Sequence, residues 1–466
     1  MIWCEGMRAK RQWLRTALAV VTIAVTACGA EAQDNAKPQS IWEQNTFSGD
    51  WNGLRTALSS QGVDLTLQYI GEGLDVASGG LYQQSSYEGR LEFSADADFE
   101  KFTGWRGASA HITLFNIHNG GRNVADNVGS LAGPSNIDAL PSTRLFDVWF
   151  QQNFFDERLS VRIGQLGIDL TNFTSTTSGG LINGTFGWPS IFASNMINGG
   201  PAYPLAAPGV RVAVKATDEL TMLAAVLSGD PAGPNCTNDP QVCNSHGTTF
   251  SFAGGALVMS ELQYAINQGK KPMGLPGVYK IGFWYETTEF PDQRYGVNAA
   301  GAVVLLSDPM VAGPLNHRGN WGIYGVVDQT VWQQEERSLS LFVRGSISPS
   351  DRNLITYYVD GGAGIKGFFM TRPHDVLTFG VAYAKIGHDA VAADQDALAV
   401  NGPPSFVRDY ELVFEMSYAL QIAPWWIVQP DFQYIIHTGG NVANPDNLTV
   451  PVNDATIIGV RSTFTF

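Results

Sequence analysis

The chain has 466 residues, 28 basic and 43 acidic, with a formal net charge of −15 at pH 7, an acidity that argues against nucleic acid as a partner. Charged residues are 15% and hydrophobic residues 44% of the chain, with 51 glycines and 11% aromatics. Past residue 32 no uninterrupted apolar run is long enough for a spanning helix, whereas few charges, many glycines and many aromatics suit a transmembrane barrel whose strands are each half apolar.

In chain order, Met7 is the better start, because Arg8, Lys10, Arg11 and Arg15 then form a basic region ahead of an apolar stretch, Ala17 to Ala27. Ala30-Glu31-Ala32 is a small-x-small cleavage site, so residues 1–32 read as a secretory signal peptide. Val25-Thr26-Ala27-Cys28 resembles a lipobox with Val where Leu is usual, which leaves lipidation of Cys28 open. Residues 33–62 are expected to form a periplasmic segment with a short helix, Trp51 to Ser60, capped by Asp50 and stopped at Gly62.

Sixteen candidate strands follow over residues 63–466, from Val63–Leu74 and Glu88–Phe99 through Leu145–Phe155, Leu159–Asp169 and Asn320–Glu335 to Ala455–Phe466. Gaps after even-numbered strands are mostly short, such as 156–158, 217–218, 336–337 and 422–424. Gaps after odd-numbered strands are mostly long: 118–144, 170–208, 230–248, 288–319, 389–407 and 438–454. Short turns on one side and long loops on the other predict an all-β, antiparallel transmembrane barrel with both ends on the short-turn side. The last strand alternates Ile458, Val460, Ser462 and Phe464 with Gly459, Arg461, Thr463 and Thr465, and ends on Phe466, a residue through which barrel-assembly machinery is expected to recognise it. Cys236 and Cys243, in a turn-rich stretch, predict a disulfide closing a surface loop. Gly362-Ala-Gly364-Ile-Lys-Gly367 fits a dinucleotide fingerprint, but no helix follows it. The seven histidines show no pair at metal spacing, and neither metal nor cofactor is expected.

Several longer motifs are specific. Gly49-Asp-Trp-Asn-Gly-Leu-Arg-Thr56, Leu159-Ser-Val-Arg-Ile-Gly-Gln-Leu166, Phe186-Gly-Trp-Pro-Ser190, Pro201-Ala-Tyr-Pro-Leu-Ala-Ala-Pro-Gly-Val-Arg211, Pro349-Ser-Asp-Arg-Asn-Leu354 and Gln429-Pro-Asp-Phe-Gln-Tyr434 occur in this order. Together they resemble the OprB-type carbohydrate-selective porins of Gram-negative outer membranes, from about residue 41 to the end. The resemblance implies a sixteen-stranded outer-membrane barrel that passes small sugars, such as glucose, by diffusion.

Alternation assigns the faces. Phe146, Val148 and Phe150 go to lipid, which turns Asp147 and Trp149 inward. By the same rule Arg90, Glu92, Arg162, Arg211, Arg344, Glu415 and Arg461 face the lumen. Arg forks and carboxylates suit hydroxyls that both donate and accept, and Trp149 and Trp284 offer rings for a pyranose face. The long gap 170–208, with Phe186, Trp188 and Tyr203, is expected to fold inward and narrow the channel. Lipid and lipopolysaccharide are the expected surroundings, and monomer and trimer stay open. The competing readings are a barrel enzyme of the lipase or esterase type, which no motif supports, and a structural barrel, for which the chain leaves little room.

Overall fold

The computed structural model describes residues 40–269, 273–402 and 406–466; the signal peptide expected over residues 1–32 and Cys28 lie outside the described residues. Sixteen long strands form one closed antiparallel barrel. They are β1 Val63–Gly80, β2 Ser85–Asp98, β3 Ala108–Asn119, β4 Ser142–Phe154, β5 Leu159–Leu166, β6 Ala207–Lys215, β7 Leu220–Ser228 and β8 Ala256–Ile266. The second half comprises β9 Gly277–Asn298, β10 Val311–Gln334, β11 Arg337–Ile347, β12 Ile355–Lys366, β13 Val376–Ile386, β14 Tyr410–Ala423, β15 Trp426–Ile436 and β16 Asn453–Thr465. Each pairs with the next, and β16 closes on β1 with Tyr69 opposite Phe464 and Glu72 opposite Arg461. Closure leaves no strand edge unpaired, which is what lets a sheet cross lipid. Among the described residues no helix is long and apolar enough to cross a membrane.

The period-2 pattern sorts side chains as lipid and lumen require. Ile163, Ile281, Val343, Met416 and Val460 are exposed on the outside, while Glu72, Arg344, Glu415 and Arg461 are buried inside. One assignment from alternation is corrected. Pairing of β3 with β4 passes from Ile112–Val148 to Leu114–Leu145, so Phe146 and Asp147 together oppose the single Thr113. This bulge changes the parity of β4. Phe146, expected on lipid, instead turns inward and stacks on Phe115 with ring centres 5.1 Å apart. Aromatic rows mark both rims, as interfacial belts do. Tyr357, Tyr383, Tyr410 and His437 follow one another near the long-loop rim. Trp425, Trp426 and Phe464 stack near the short-turn rim.

The segment between β9 and β10, expected as a loop, is mostly an extension of those two strands, with Arg318 still paired to Glu289 beyond the neighbouring strands. The gap between β13 and β14 contains an α-helix, His388–Asn401. Its Asp394 holds Arg408 at 2.8 Å and its Asp396 holds Arg294 at 2.7 Å. Before β1 the expected short helix splits into one 3-10 turn, Trp51–Gly53, and an α-helix, Leu54–Ser60. The N-cap of the latter is Gly53, and the Asp50 carboxylate accepts from the Thr56 amide at 2.8 Å. The segment lies along the barrel closure: Phe47 N–H donates to Thr465 at 2.8 Å, and Arg55 donates to a backbone oxygen of Phe466 at 2.7 Å.

Candidate functional site

Two loops descend into the barrel. Loop A, residues 120–141, joins β3 to β4, and loop B, residues 167–206, joins β5 to β6. Loop B carries Phe173, Leu181, Ile182, Phe186 and Phe192 into a core shared with inward Trp284, Tyr324, Phe342 and Tyr358 of the wall. An irregular loop brings backbone N–H and C=O groups that strand pairing does not satisfy, and burying them unpaired is costly. The wall supplies the partners. Glu261 accepts from Phe173 N at 2.8 Å, Asp328 from Thr177 N at 2.9 Å, and Glu415 from Ile182 N at 2.6 Å and Asn183 N at 3.0 Å. Glu411 accepts from Leu131 N and Ala132 N of loop A, each at 2.8 Å. In the other direction Lys280 donates to Thr174 O at 2.7 Å, Arg344 to Phe173 O at 3.2 Å and Gln433 to Pro134 O at 2.8 Å.

This arrangement corrects three lumen candidates. Arg344, Glu415 and Trp284 do face inward, but loop B covers them. The Arg344 side chain has 0% exposure and its Nε lies 3.0 Å from Asp360. Trp284 is likewise fully buried, with Phe192 across its ring at 6.4 Å, so it has no face free for a sugar. Phe186 belongs to the same buried core.

What the loops leave open is a cavity of about 460 Å³ between loop A, loop B and the wall formed by β1, β2, β3, β4 and β16. Arg90 pairs with Glu92 at 3.0 Å and lies over the rings of Phe115 and Tyr203 at 4.8 and 5.2 Å. Across the cavity Arg461 is held by Glu72 at 2.7 Å and donates to Asn136 of loop A, also at 2.7 Å. Tyr203 donates from its hydroxyl to Ile137 O at 2.8 Å, tying loop B to loop A, and its amide donates to Asp169 at 3.0 Å. Trp188 lines the cavity with its indole N–H fixed on Gly199 O at 2.9 Å. Three lining groups keep a buried polar atom with no protein partner: Arg90 Nε, Asp169 Oδ1 and Ser190 Oγ. Burial pushes the Asp138 carboxyl of loop A up to about 7, against the opposing effect of the Ala125 amide. Burial likewise raises Asp169 to about 6. Phe115, Asn136, Asp138 and Asp169 had no signal in the alternation argument. The first lies on a strand whose inward face is apolar there, Asn136 and Asp138 lie on a loop, where alternation says nothing, and Asp169 closes the expected strand Leu159–Asp169, which in the structure ends at Leu166.

Asp147, Trp149, Arg162 and Arg211 form a separate patch on β4, β5 and β6, away from the cavity lining. The Trp149 ring is sandwiched, with the Arg162 guanidinium 3.6 Å above it and the His111 ring stacked at 5.1 Å. Asp147 lies 3.5 Å from His111 Nε2. Cys236 and Cys243 are joined, and their loop braces the eyelet from outside. Its Gln241 accepts from the Leu140 amide at 2.8 Å and from Arg144 at 3.4 Å, and Arg144 in turn donates to Pro204 O of loop B at 3.1 Å.

A closed barrel with an apolar outside, aromatic rims and a polar eyelet built from inward loops is the architecture of an outer-membrane porin. Residues 83–466 match the model of the carbohydrate-selective porin, OprB family, and the chain belongs to that family. It is therefore an outer-membrane, carbohydrate-selective porin. Porin B of Pseudomonas aeruginosa is 25% identical over 445 residues, 90% of this chain and 92% of that protein. A putative porin QuiX of Acinetobacter baylyi is 24% identical over 465 residues, covering 91% and 94% of the two chains. The high-pH structure of Pseudomonas putida OprB superposes with a TM-score of 0.79 at 24% identity, covering 92% of this chain and all of that one, which establishes the shared fold.

Proposed function

We propose that the eyelet passes single neutral sugar rings, glucose among them, and that Arg90, Glu92, Asp169, Arg461, Trp188 and Tyr203 select them. The observation that carries this reading is a cavity of mixed character, lined by charged pairs and by aromatic and aliphatic surface. Arg90 and Glu92, whose side chains stay partly exposed, offer donors and acceptors to ligand hydroxyls, while Phe115, Ile137 and Trp188 present apolar surface for ring carbons. Arg90 and Arg461 are held by carboxylates, so their charge is balanced before a sugar arrives. Several weak contacts of this kind favour entry yet permit release. In liposome swelling, glucose should enter faster than a disaccharide. Arg90→Gln, which removes one charged donor, should weaken glucose-induced current noise by about tenfold in binding constant, the equivalent of ~1.4 kcal/mol. Equal swelling by mono- and disaccharides, or sugar binding indifferent to Arg90, would exclude the reading.

A further inference from the structure

Three of the inward arginines of this barrel are paired with carboxylates, while Arg144 donates to the Ser142 hydroxyl and to the Pro204 and Gln241 carbonyls. Arg90 has Glu92, Arg344 has Asp360 and Arg461 has Glu72. Arg162 and Arg211 face each other directly across β5 and β6, and among the described residues no carboxylate oxygen lies within 4.0 Å of either guanidinium. Both donate to one atom, Gln151 Oε1, at 3.0 and 3.2 Å. Arg211 Nε is buried with no partner at all.

Two cations one strand spacing apart, about 5 Å, repel each other, and the Trp149 ring, one neutral carbonyl oxygen and the more distant Asp147 and Asp96 carboxylates relieve that only in part. An oxyanion with two acceptor oxygens relieves it further, because each guanidinium presents a planar fork matched to such a group. The pair stands three to four residues above the short-turn ends of β5 and β6, roughly 10 Å into the barrel. A ligand leaving the eyelet toward the periplasm passes it. Beside the pair stand neutral amides, with Gln151 Nε2 donating to Asn153 Oδ1 at 3.0 Å. Those amides suit hydroxyls next to the anionic group. We propose that Arg162 and Arg211 form a carboxylate-binding subsite for sugar acids on the periplasmic side of the eyelet. The proposal rests on the sugar-channel reading and extends it to a charged substrate class.

The test is current-noise analysis of the purified full chain in planar bilayers, with glucose, gluconate and inorganic phosphate added in turn. Gluconate should bind about tenfold tighter than glucose. R162Q and R211Q should each lower that gluconate-to-glucose ratio about tenfold, and R162K, which keeps the charge without the fork, should lower it by less. Heat-modifiable migration on gels shows that each variant is a folded barrel. A ratio near one in the unaltered protein, or a ratio unmoved by both Gln variants, overturns the proposal. Phosphate that binds as tightly as gluconate also overturns it, in favour of a general anion site; weaker phosphate binding upholds it. Glucose entry into liposomes that persists without any gluconate preference sinks the subsite alone, whereas loss of glucose entry from the unaltered protein sinks the channel reading beneath it.

Discussion

Arg344 sits with no exposed side-chain surface between the wall and loop B, bonded to Asp360 on one side and to the Phe173 and Thr185 carbonyls on the other. Removing one member of such a pair strands the other as a buried charge, whereas replacing both with apolar groups is often near neutral. Arg344→Met should therefore destabilise the barrel by about 3–5 kcal/mol in detergent unfolding, and Arg344→Met with Asp360→Leu should recover part of that loss. A single-variant cost below ~1 kcal/mol would mean that the pair is not a support of loop B. At this scale sequence reading reaches the side of the wall and no further. Alternation turns Arg344 and Glu415 inward, and Trp284 is offered as a stacking ring, but nothing in a strand tells which inward residues a distant loop will cover. It misassigned Phe146, because a one-residue bulge opposite Thr113 leaves no mark in the pattern of apolar residues.

Loop B, together with loop A, lines the eyelet cavity. Deleting residues 175–198 removes the segment anchored by Asp328, Glu415 and Asn320, and single-channel conductance should rise several-fold as the lumen widens. Unchanged conductance would place the narrowing elsewhere. The disulfide loop acts on the same elements from above. Cys236→Ser with Cys243→Ser should loosen Gln241 from Leu140 and Arg144, raising open-channel noise and protease cleavage near residue 240, since cross-linking chiefly restricts the opened loop. The length and aromatic content of loop B were legible from its residues. Loop A was legible only as a long gap, although Val124, Val128 and Ile137 scattered among Gly, Ser and Asn mark a segment with apolar groups to bury. The extended β9–β10 hairpin was hidden by Pro291, Gly296, Gly301 and Pro314, residues tolerated where strands run beyond their neighbours. The helix His388–Asn401 was available in principle, because its run of Ala, Leu, Asp and Gln contains good helix formers without Gly or Pro.

For the whole molecule the pattern of long and short connections, together with half-apolar strands, was enough to reach a closed barrel with inward polar residues. The eyelet was not reachable that way, because it is assembled from two loops and five strands that are distant in the chain. Its charge should respond to pH. Burial holds the Asp138 and Asp169 carboxyls above the ordinary carboxylate range, Asp169 at about 6. Each is neutral below its value and anionic above it, so the eyelet gains up to two negative charges between pH 5 and pH 8. The unfolded chain loses the same protons near pH 4, so these two groups favour the folded barrel least above pH 7 and progressively more as pH falls toward 4. Reversal potentials in a salt gradient should shift toward cations from pH 5 to pH 8, and Asp138→Asn should remove much of the shift; a flat profile in the unaltered protein would contradict the placement of Asp138. The hydrogen bonds from loop amides to wall carboxylates carry a further consequence, for transplantation. A constriction loop moved alone into another barrel would arrive with its amides at 173, 177, 182 and 183 facing side chains never chosen to receive them. A workable graft would have to bring Glu261, Asp328 and Glu415 along, so loop and wall behave as one heritable unit even though more than two hundred residues separate some of their members.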